Sequence, residues 1–220
     1  MHIFCIIPAW NEEQTITEVI QKVKPLVDEV VVIDDGSTDK TYELALKQNI
    51  TVLRHIINRG QGAALETGNQ YALQNNADII VHFDADAQFC ADEISEIVKP
   101  IATGKYDVVF GSRFLEKKSN IPWVKKHVHL VLAKIINKLF YNISLSDPQS
   151  GFRALSKKAV RKIRIKNNDM AHCSEIIHKS FQNKLRIKEV PITVVYHNFG
   201  QKFSKGVGVV KDLVLEKIIN

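Results

Sequence analysis

Short apolar runs alternate with amphipathic stretches through the first half of this chain. The apolar runs predict strands at 2–8, 29–34, 50–54, 78–84 and 106–111, and the stretches between them predict helices at 12–24, 40–48, 61–75 and 91–103. Strands that alternate with helices form a mostly parallel sheet with helices on both faces. We therefore predict an α/β fold with a Rossmann-like sheet, in which ligands bind at the carboxyl ends of the strands.

The pattern changes after residue 111. It predicts a helix at 123–141, a polar loop through Phe152, helices near 156–163 and 172–184, and strands near 186–190 and 192–196. No internal repeat or low-complexity linker separates the two parts. We therefore expect a single domain over residues 1–220, in which residues 1–111 are followed by a C-terminal elaboration over residues 112–220.

The composition is that of a globular protein with one sizeable core, since 45% of the 220 residues are hydrophobic and 25% are charged. The apolar runs are far shorter than the roughly 20 residues that cross a bilayer, and the N-terminus lacks the pattern of a signal peptide. We expect a soluble, cytoplasmic protein. Cys5, Cys90 and Cys173 are scattered, so we interpret them as packing residues.

The net charge of +6 and the isoelectric point near 9.1 favour an anionic partner. Positive charge is concentrated in one segment, in Lys117, Lys118, Lys125, Lys126, Lys134 and Lys138. We do not expect a nucleic-acid partner, because this segment lacks an aromatic stacking platform and the acidic strand ends would repel phosphate unless a metal were bound.

The predicted helix 123–141 begins with Trp123 and combines an apolar stripe with four of these lysines, Lys125, Lys126, Lys134 and Lys138. A basic amphipathic helix of this kind is typical of helices that lie at a membrane surface. The alternative is a helix that packs on the core and exposes its lysines to solvent.

The segment Asp84-Ala85-Asp86-Ala87-Gln88 closes the apolar run 79–83, which predicts a buried strand. Two carboxylates two residues apart on an extended backbone point to the same face. Burying both is costly unless a cation lies between them, and a hard divalent cation is the simplest candidate. The alternative is a pair of solvated turn residues.

Two further loops follow predicted strands. In the first, residues 34–39, a capping box explains Gly36 to Asp39 but not the adjacent acids Asp34 and Asp35, which could accept a nucleobase N–H or ribose hydroxyls. In the second, residues 58–64, two glycines precede a helix of small residues. Such a loop lets a phosphate approach the backbone, although a flexible loop with a close helix–sheet contact would look the same.

Six segments carry a resemblance to a known family, and they occur in its order. They are Ile6-Ile7-Pro8-Ala9-Trp10-Asn11-Glu12-Glu13, Asp34-Asp35-Gly36-Ser37-Thr38-Asp39, Asn58-Arg59-Gly60-Gln61-Gly62, Asp84-Ala85-Asp86-Ala87-Gln88, Gly111-Ser112-Arg113-Phe114 and Asp147-Pro148-Gln149-Ser150-Gly151-Phe152-Arg153. Together they resemble the family 2 glycosyltransferases of the GT-A fold, and most closely the dolichyl- or polyprenyl-phosphate sugar transferases.

The resemblance implies an enzyme whose first half, 1–111, holds a UDP- or GDP-sugar donor over the strand ends. The implied donor contacts are Pro8, Ala9, Glu12, Asp34, Asp35, Gly62, Asp84 and Ala85. It also implies that Asp84, Asp86 and Gln88 hold Mg²⁺ or Mn²⁺. The family's C-terminal block is matched only loosely here, and Lys202 or Lys205 is the expected cation that closes over the diphosphate.

The resemblance implies that the second half, 112–220, binds a polyprenyl phosphate, with inversion at the anomeric carbon. Phosphate is already anionic at neutral pH, because its second pKa is about 6, so alignment is needed more than a strong base. The expected phosphate contacts are Arg113, Lys125, Lys126 and Ser150. We expect Asp86, Arg113 and Asp147 to be catalytic, with Asp147 orienting Arg113; the alternatives are a surface arginine and a turn acid before Pro148.

A glycan hydroxyl in surface-polysaccharide assembly is the alternative acceptor, and it would need a carboxylate base. Asp147 and Glu175 are the only candidates that the sequence presents, and Glu175 has an equally good structural interpretation. This favours a phosphate acceptor. Without the transmembrane extension of some family members, we expect peripheral attachment to the cytoplasmic face of a membrane, either directly or through a separate membrane protein.

Overall fold

The computed structural model describes residues 1–115, 145–169 and 171–195. The strands are β1 (Ile3–Ala9), β2 (Glu29–Asp34), β3 (Thr51–Arg54), β4 (Ile79–His82), β5 (Val108–Ser112), β6 (Arg153–Ser156) and β7 (Ile187–Pro191). The α-helices are α1 (Ile16–Val23), α2 (Thr41–Leu46), α3 (Gln61–Gln74), α4 (Ile94–Ala102), α5 (Lys157–Lys162) and α6 (His172–Gln182). Short 3-10 turns cover Lys24–Leu26 and Ala91–Glu93.

The seven strands form one sheet in the order β3-β2-β1-β4-β6-β5-β7. All neighbouring strands are parallel except β6, which runs antiparallel to both β4 and β5. The predicted α/β class with a mostly parallel sheet is confirmed. The prediction missed β6, because its Arg-Ala-Leu-Ser sequence lacks the β-branched and aromatic residues that mark a strand.

Alternation along the strands builds a core on each face of the sheet. In β1, Phe4 and Ile6 pack into one cluster with residues of α3, α5 and α6, whereas Cys5 and Ile7 pack into the other with residues of α1 and α4. Successive side chains of a strand point to opposite faces, so a strand buried on both sides reads as one continuous apolar run. The predicted helices on both faces are confirmed.

Several predicted boundaries differ from the structure. The predicted helix 12–24 begins only at Ile16, because residues 12–15 form a turn in which the Glu12 carbonyl accepts the Ile16 N–H at 2.9 Å. The predicted strand 192–196 is wrong within the described residues, where Val194 forms a single bridge to Phe89. The predicted helix 123–141 lies outside the described residues, and the division of the domain at residue 111 stays a prediction.

Candidate active site

The two acidic residues after β4 lie in a turn. β4 ends at His82, the backbone turns at residues 85–86, and Ala87 has a φ of 59°. The extended backbone that we expected at Asp84 and Asp86 is therefore wrong, but the expected electrostatics are present. Burial, and after it the charge of Asp86, raise the pKa of Asp84 to about 7.

Two other segments approach the carboxylate of Asp84. At the start of α3, Gln61 Nε2 donates to Asp84 Oδ1 at 2.9 Å. On the other side lies Gly151, where a Cβ atom would come within 2.3 Å of Asp84 Oδ2. A side chain at position 151 would therefore displace the Asp84 carboxylate.

These residues fit a hard divalent cation. Asp84, Asp86 and Gln88 offer only oxygen ligands from their side chains, and the Gln88 N–H donates to Asp86 Oδ1 at 3.1 Å, which holds the turn. Within the ranges that the structure describes, no cluster of three or more His, Cys, Asp or Glu side chains could hold a metal. Mg²⁺ suits a site of this kind, because it binds through one or two carboxylates and takes its other ligands from water and substrate phosphate.

A buried arginine and a buried histidine lie near Asp84. Arg153 is only 1% exposed, and its guanidinium lies 3.3 Å from His172 Nε2 and 3.6 Å from Cys173 Sγ. Arg153 and His172 counteract the rise in the pKa of Asp84. Burial would raise the pKa of Cys173, but His172 and Arg153 outweigh it and lower that pKa to about 6. Cys173 is buried, and its role as a packing residue stays a prediction.

The acids at the end of β2 have structural partners. Asp34 is fully buried and lies 3.0 Å from Arg54 Nε, although neither of its oxygens accepts a well-aligned hydrogen bond. Asp35 accepts the N–H groups of Arg59 at 3.0 Å and Gly60 at 2.7 Å, and lies 2.6 Å from His55 Nδ1. Asp35 thereby fixes the loop before α3. A donor contact by either carboxylate stays a prediction.

The predicted phosphate contact at Gly62 is occupied by the protein itself. The Gly62 N–H donates to the Asn168 carbonyl at 2.7 Å, and a Cβ atom at Gly62 would come within 2.0 Å of the Asn167 carbonyl oxygen. The glycine is therefore explained by the close approach of the loop 167–168. Its amide is not available to a phosphate in this arrangement.

The other predicted donor contacts line the ends of β1 and β4. Pro8 and Ala9 are buried at the end of β1, and Ala85 packs into the core. Glu12 is partly exposed, and its N–H donates to Thr41 Oγ1 at 2.7 Å, which ties the loop after β1 to α2.

Arg113, just past β5, forms a bidentate ion pair with Asp147. Arg113 Nε donates to Asp147 Oδ2 at 2.6 Å and Nη2 donates to Oδ1 at 2.7 Å, while the Arg113 N–H donates to Oδ2 at 3.1 Å. Asp147 is almost fully buried, whereas the side chain of Arg113 is 21% exposed. The expectation that Asp147 orients Arg113 agrees with this geometry, and Asp147 is not a solvated turn acid.

Ser150 lies on the same loop, between Asp147 and Gly151. Its side chain is buried, and its hydroxyl oxygen has no hydrogen-bond partner in the described structure. A buried hydroxyl without a partner costs about 1–3 kcal/mol, so such a group is a candidate for ligand contact.

Comparison with known proteins identifies the family. Residues 4–164 match the family model described as glycosyl transferase family 2. The chain belongs to that family. It is 38% identical to the uncharacterized protein MJ1222 of Methanocaldococcus jannaschii, over 98% of this chain and 92% of that protein. It is 34% identical to the UDP-N-acetylglucosamine–dolichyl-phosphate N-acetylglucosaminyltransferase of Methanococcus voltae, over 90% of this chain and 87% of that enzyme.

Among solved structures, the Mycobacterium tuberculosis glucosyl-3-phosphoglycerate synthase in complex with Mg²⁺ and UDP superimposes with a TM-score of 0.78. The superposition covers 97% of this chain and 76% of that one, at 22% sequence identity. The fold of this family 2 glycosyltransferase is therefore the predicted GT-A fold, and the protein is an enzyme of the glycosyltransferase class.

Glu175 has a structural role in this transferase, and three other residues of the site were not predicted. Glu175 accepts the N–H groups of Lys166 and Asn167 at 2.8–3.0 Å, which supports its structural interpretation. We predicted no role for Gln61, Arg153 or His172, because their contacts depend on chain segments that are distant in sequence. The predicted contacts Lys125, Lys126, Lys202 and Lys205 lie outside the described residues.

Proposed function

We propose that this family 2 glycosyltransferase moves a sugar from a UDP- or GDP-sugar to a polyprenyl phosphate, with inversion, and that it depends on Mg²⁺ or Mn²⁺. The observation that carries the proposal is the guanidinium of Arg113. It is held in a fixed plane by Asp147 on the loop that also bears the buried, unpartnered hydroxyl of Ser150. A planar guanidinium and a buried hydroxyl are both groups that suit the oxygens of a phosphate.

The donor side of the proposal rests on Asp84, Asp86 and Gln88. When bound, a divalent cation would neutralise the negative charge that gathers on the departing diphosphate. In this proposal the Asp84 and Asp86 carboxylates hold that cation. Gln61 keeps Asp84 in place through its 2.9 Å hydrogen bond. The names of relatives that use dolichyl phosphate, such as the Methanococcus voltae enzyme, support this donor and acceptor chemistry.

On the acceptor side, Arg113 would align the phosphate for attack on the anomeric carbon. The phosphate carries its own negative charge at neutral pH, so no carboxylate has to remove a proton. The two carboxylates considered as bases for a hydroxyl acceptor are both engaged, Asp147 with Arg113 and Glu175 with the amides of residues 166 and 167. This argues against the glycan-hydroxyl alternative.

The place of action in this proposal is the surface of a membrane, at its cytoplasmic face, with or without a separate membrane protein. Support comes from the lipid-phosphate substrate in the names of relatives and from the basic composition. None of the helices in the described parts of the chain is long and apolar enough to cross a bilayer.

A transfer assay tests the proposal. The purified protein would be given UDP- and GDP-sugars with Mg²⁺ or Mn²⁺, with and without a polyprenyl phosphate, and the glycolipid product would be measured. We expect product only with donor, metal and lipid phosphate together. Asp86→Asn should abolish metal-dependent donor binding in calorimetry, because one charge is lost from a site with few protein ligands. Asp92→Asn, an exposed acid in the next turn, is the matched control.

Transfer of the sugar to a glycan hydroxyl, with none to the lipid phosphate, would contradict the proposed acceptor. Unchanged donor affinity and unchanged metal dependence in Asp86→Asn would contradict the proposed metal site.

A further inference from the structure

Glu189 on β7 contacts the segment that carries Asp147, the ion-pair partner of Arg113. Its Oε1 accepts the Ser146 N–H at 2.9 Å, the Ser146 hydroxyl at 2.8 Å and the Asp147 N–H at 3.2 Å, and its Oε2 lies 3.0 Å from the Ser146 nitrogen. The Glu189 side chain therefore holds the backbone at Asp147, the residue that forms the ion pair with Arg113. Nothing in the sequence pattern of β7 marks Glu189 as different from a solvent-facing strand residue.

A second set of hydrogen bonds closes the connection to Arg113. Ser146 Oγ lies 2.6 Å from Ser112 Oγ, and Ser112 Oγ accepts the Phe114 N–H at 3.2 Å. A carboxylate only accepts hydrogen bonds, so the Ser146 hydroxyl donates to Glu189 and the Ser112 hydroxyl donates to Ser146. The negative charge of Glu189 thus sets the donor–acceptor direction of the hydrogen bonds from Ser112 through Ser146 to Glu189. The last of these contacts involve Ser112 and Phe114, which flank Arg113 in the sequence.

We propose that Glu189 is a positioning residue for sugar transfer to the acceptor phosphate. It acts by fixing Ser146 and Asp147, and through them the plane of the Arg113 guanidinium. The proposal rests on the proposed function, in which Arg113 aligns the acceptor phosphate. It extends that function to a residue on another strand, which reaches the substrate only through Arg113.

Glu189→Gln is the sharpest perturbation, because it keeps the shape and removes the charge. A glutamine whose oxygen stays at the Oε1 position places its NH₂ group about 3 Å from the Ser146 N–H, so that two donors face each other. We expect kcat for transfer to fall about tenfold while KM for the nucleotide sugar changes less than about twofold, since only the alignment is disturbed.

Asp107→Asn is the matched control. Asp107 accepts the Arg186 N–H at 2.9 Å and Arg186 Nε at 3.0 Å, so it ties together the opposite ends of the same two strands, β5 and β7. If Glu189 only stabilised these strands, both variants would affect kcat alike. We expect Asp107→Asn to lower stability and to leave kcat unchanged.

A double-mutant cycle with Arg113→Lys shows whether the effect passes through Arg113. In that background Glu189→Gln should lower kcat less than about twofold, because the planar fork is already lost. Equal losses in both backgrounds, wild-type kcat in folded Glu189→Gln, or an equal loss in Asp107→Asn would each overturn the proposal. If Glu189→Gln does not fold, Ser146→Ala, which removes only the hydroxyl link, takes its place with the same criteria.

NMR of arginine side chains separates this proposal from the proposed function. The Nε–H signal of Arg113, identified by its loss in Arg113→Lys, should shift or broaden in Glu189→Gln and stay in place in Asp107→Asn. An unchanged signal in Glu189→Gln would refute the positioning role. Failure of the wild-type protein to glycosylate any polyprenyl phosphate would instead refute the proposed function, and the NMR result would still decide the role of Glu189.

Discussion

Replacing Asp84 by asparagine should make the metal-free protein more stable at neutral pH. Burial and the neighbouring charge of Asp86 raise the pKa of Asp84 from 3.8 to about 7. Each pKa unit corresponds to 1.36 kcal/mol of differential interaction, so the ionised carboxylate of Asp84, which is partly exposed, should cost the fold about 2–4 kcal/mol. Asparagine carries no charge and keeps a carbonyl oxygen that can accept the hydrogen bond from Gln61.

The expected pH dependence follows from the sign of the shift. The folded-state pKa of Asp84 is raised, so the folded protein holds this proton more tightly than the unfolded chain between about pH 4 and pH 7. Asp84 therefore costs nothing below this window, and its cost grows as the pH rises through it. The stability difference between Asp84→Asn and the wild type should be near zero at about pH 4 and reach about 2–4 kcal/mol at pH 8.

Urea denaturation in the presence of a chelator measures this difference directly. Asp92→Asn, at an exposed position nearby, controls for the general loss of an acidic charge and should show no such growth with pH. Added Mn²⁺ should stabilise the wild type more than Asp84→Asn, because a ligand that binds only the native state raises stability. A difference that does not depend on pH, or an Asp84→Asn variant that is less stable at pH 8, would refute the reasoning.

Two further substitutions test the two sides of the site. Arg113→Lys should lower kcat about 100-fold and leave donor affinity nearly unchanged, because lysine keeps the charge but not the planar guanidinium that Asp147 holds. Steady-state kinetics with saturating donor and acceptor measures this effect, and wild-type turnover would rule out the proposed role of Arg113. Gly151→Ala should weaken metal-dependent binding of the nucleotide-sugar donor at least about tenfold, because the added methyl displaces Asp84. Calorimetry measures this affinity, and an unchanged affinity would show that Asp84 has room to move.

The alternation of strands and helices was predictable because each of the strands β1 to β5 reads as a distinct apolar run. The strand β6 was not predictable, because its position between β4 and β5 depends on pairing with strands about 45–75 residues away along the chain. The local structure at Asp84 was also mispredicted, since the apolar run continues to Phe83 whereas β4 ends at His82. An apolar pattern reports burial, and Phe83 is buried without belonging to the strand.

The site residues were predictable as far as they occupy strand ends, and their partners were not. Asp84 follows an apolar run that predicts a buried strand, whereas Arg113 and Asp147 were predicted from the resemblance to the family 2 glycosyltransferases. Their partners Gln61 and Glu189 are 23 and 42 residues away from Asp84 and Asp147 respectively. Neither residue type is unusual where it stands. Only the packing of the sheet brings such pairs together, so one sequence contains no signal for them.

The antiparallel strand β6 explains why one loop serves both substrates of the proposed reaction. Arg153, its first residue, pairs with His82 of β4 and with Phe110 of β5, so β6 begins where both of these parallel strands are about to end. The residues before it must therefore cross the carboxyl ends of β4 and β5, where Asp84 and Arg113 follow.

The contacts of this loop agree with that geometry. Asp147 forms an ion pair with Arg113, and Gly151 lies against Asp84. Ser150, which lies between positions 147 and 151 in the sequence, has a buried hydroxyl without a hydrogen-bond partner in the described structure. A parallel strand in the place of β6 would begin at the amino ends of β4 and β5. The loop before it would then not connect Asp84 with Arg113. The direction of one four-residue strand therefore couples the proposed metal site to the proposed phosphate site.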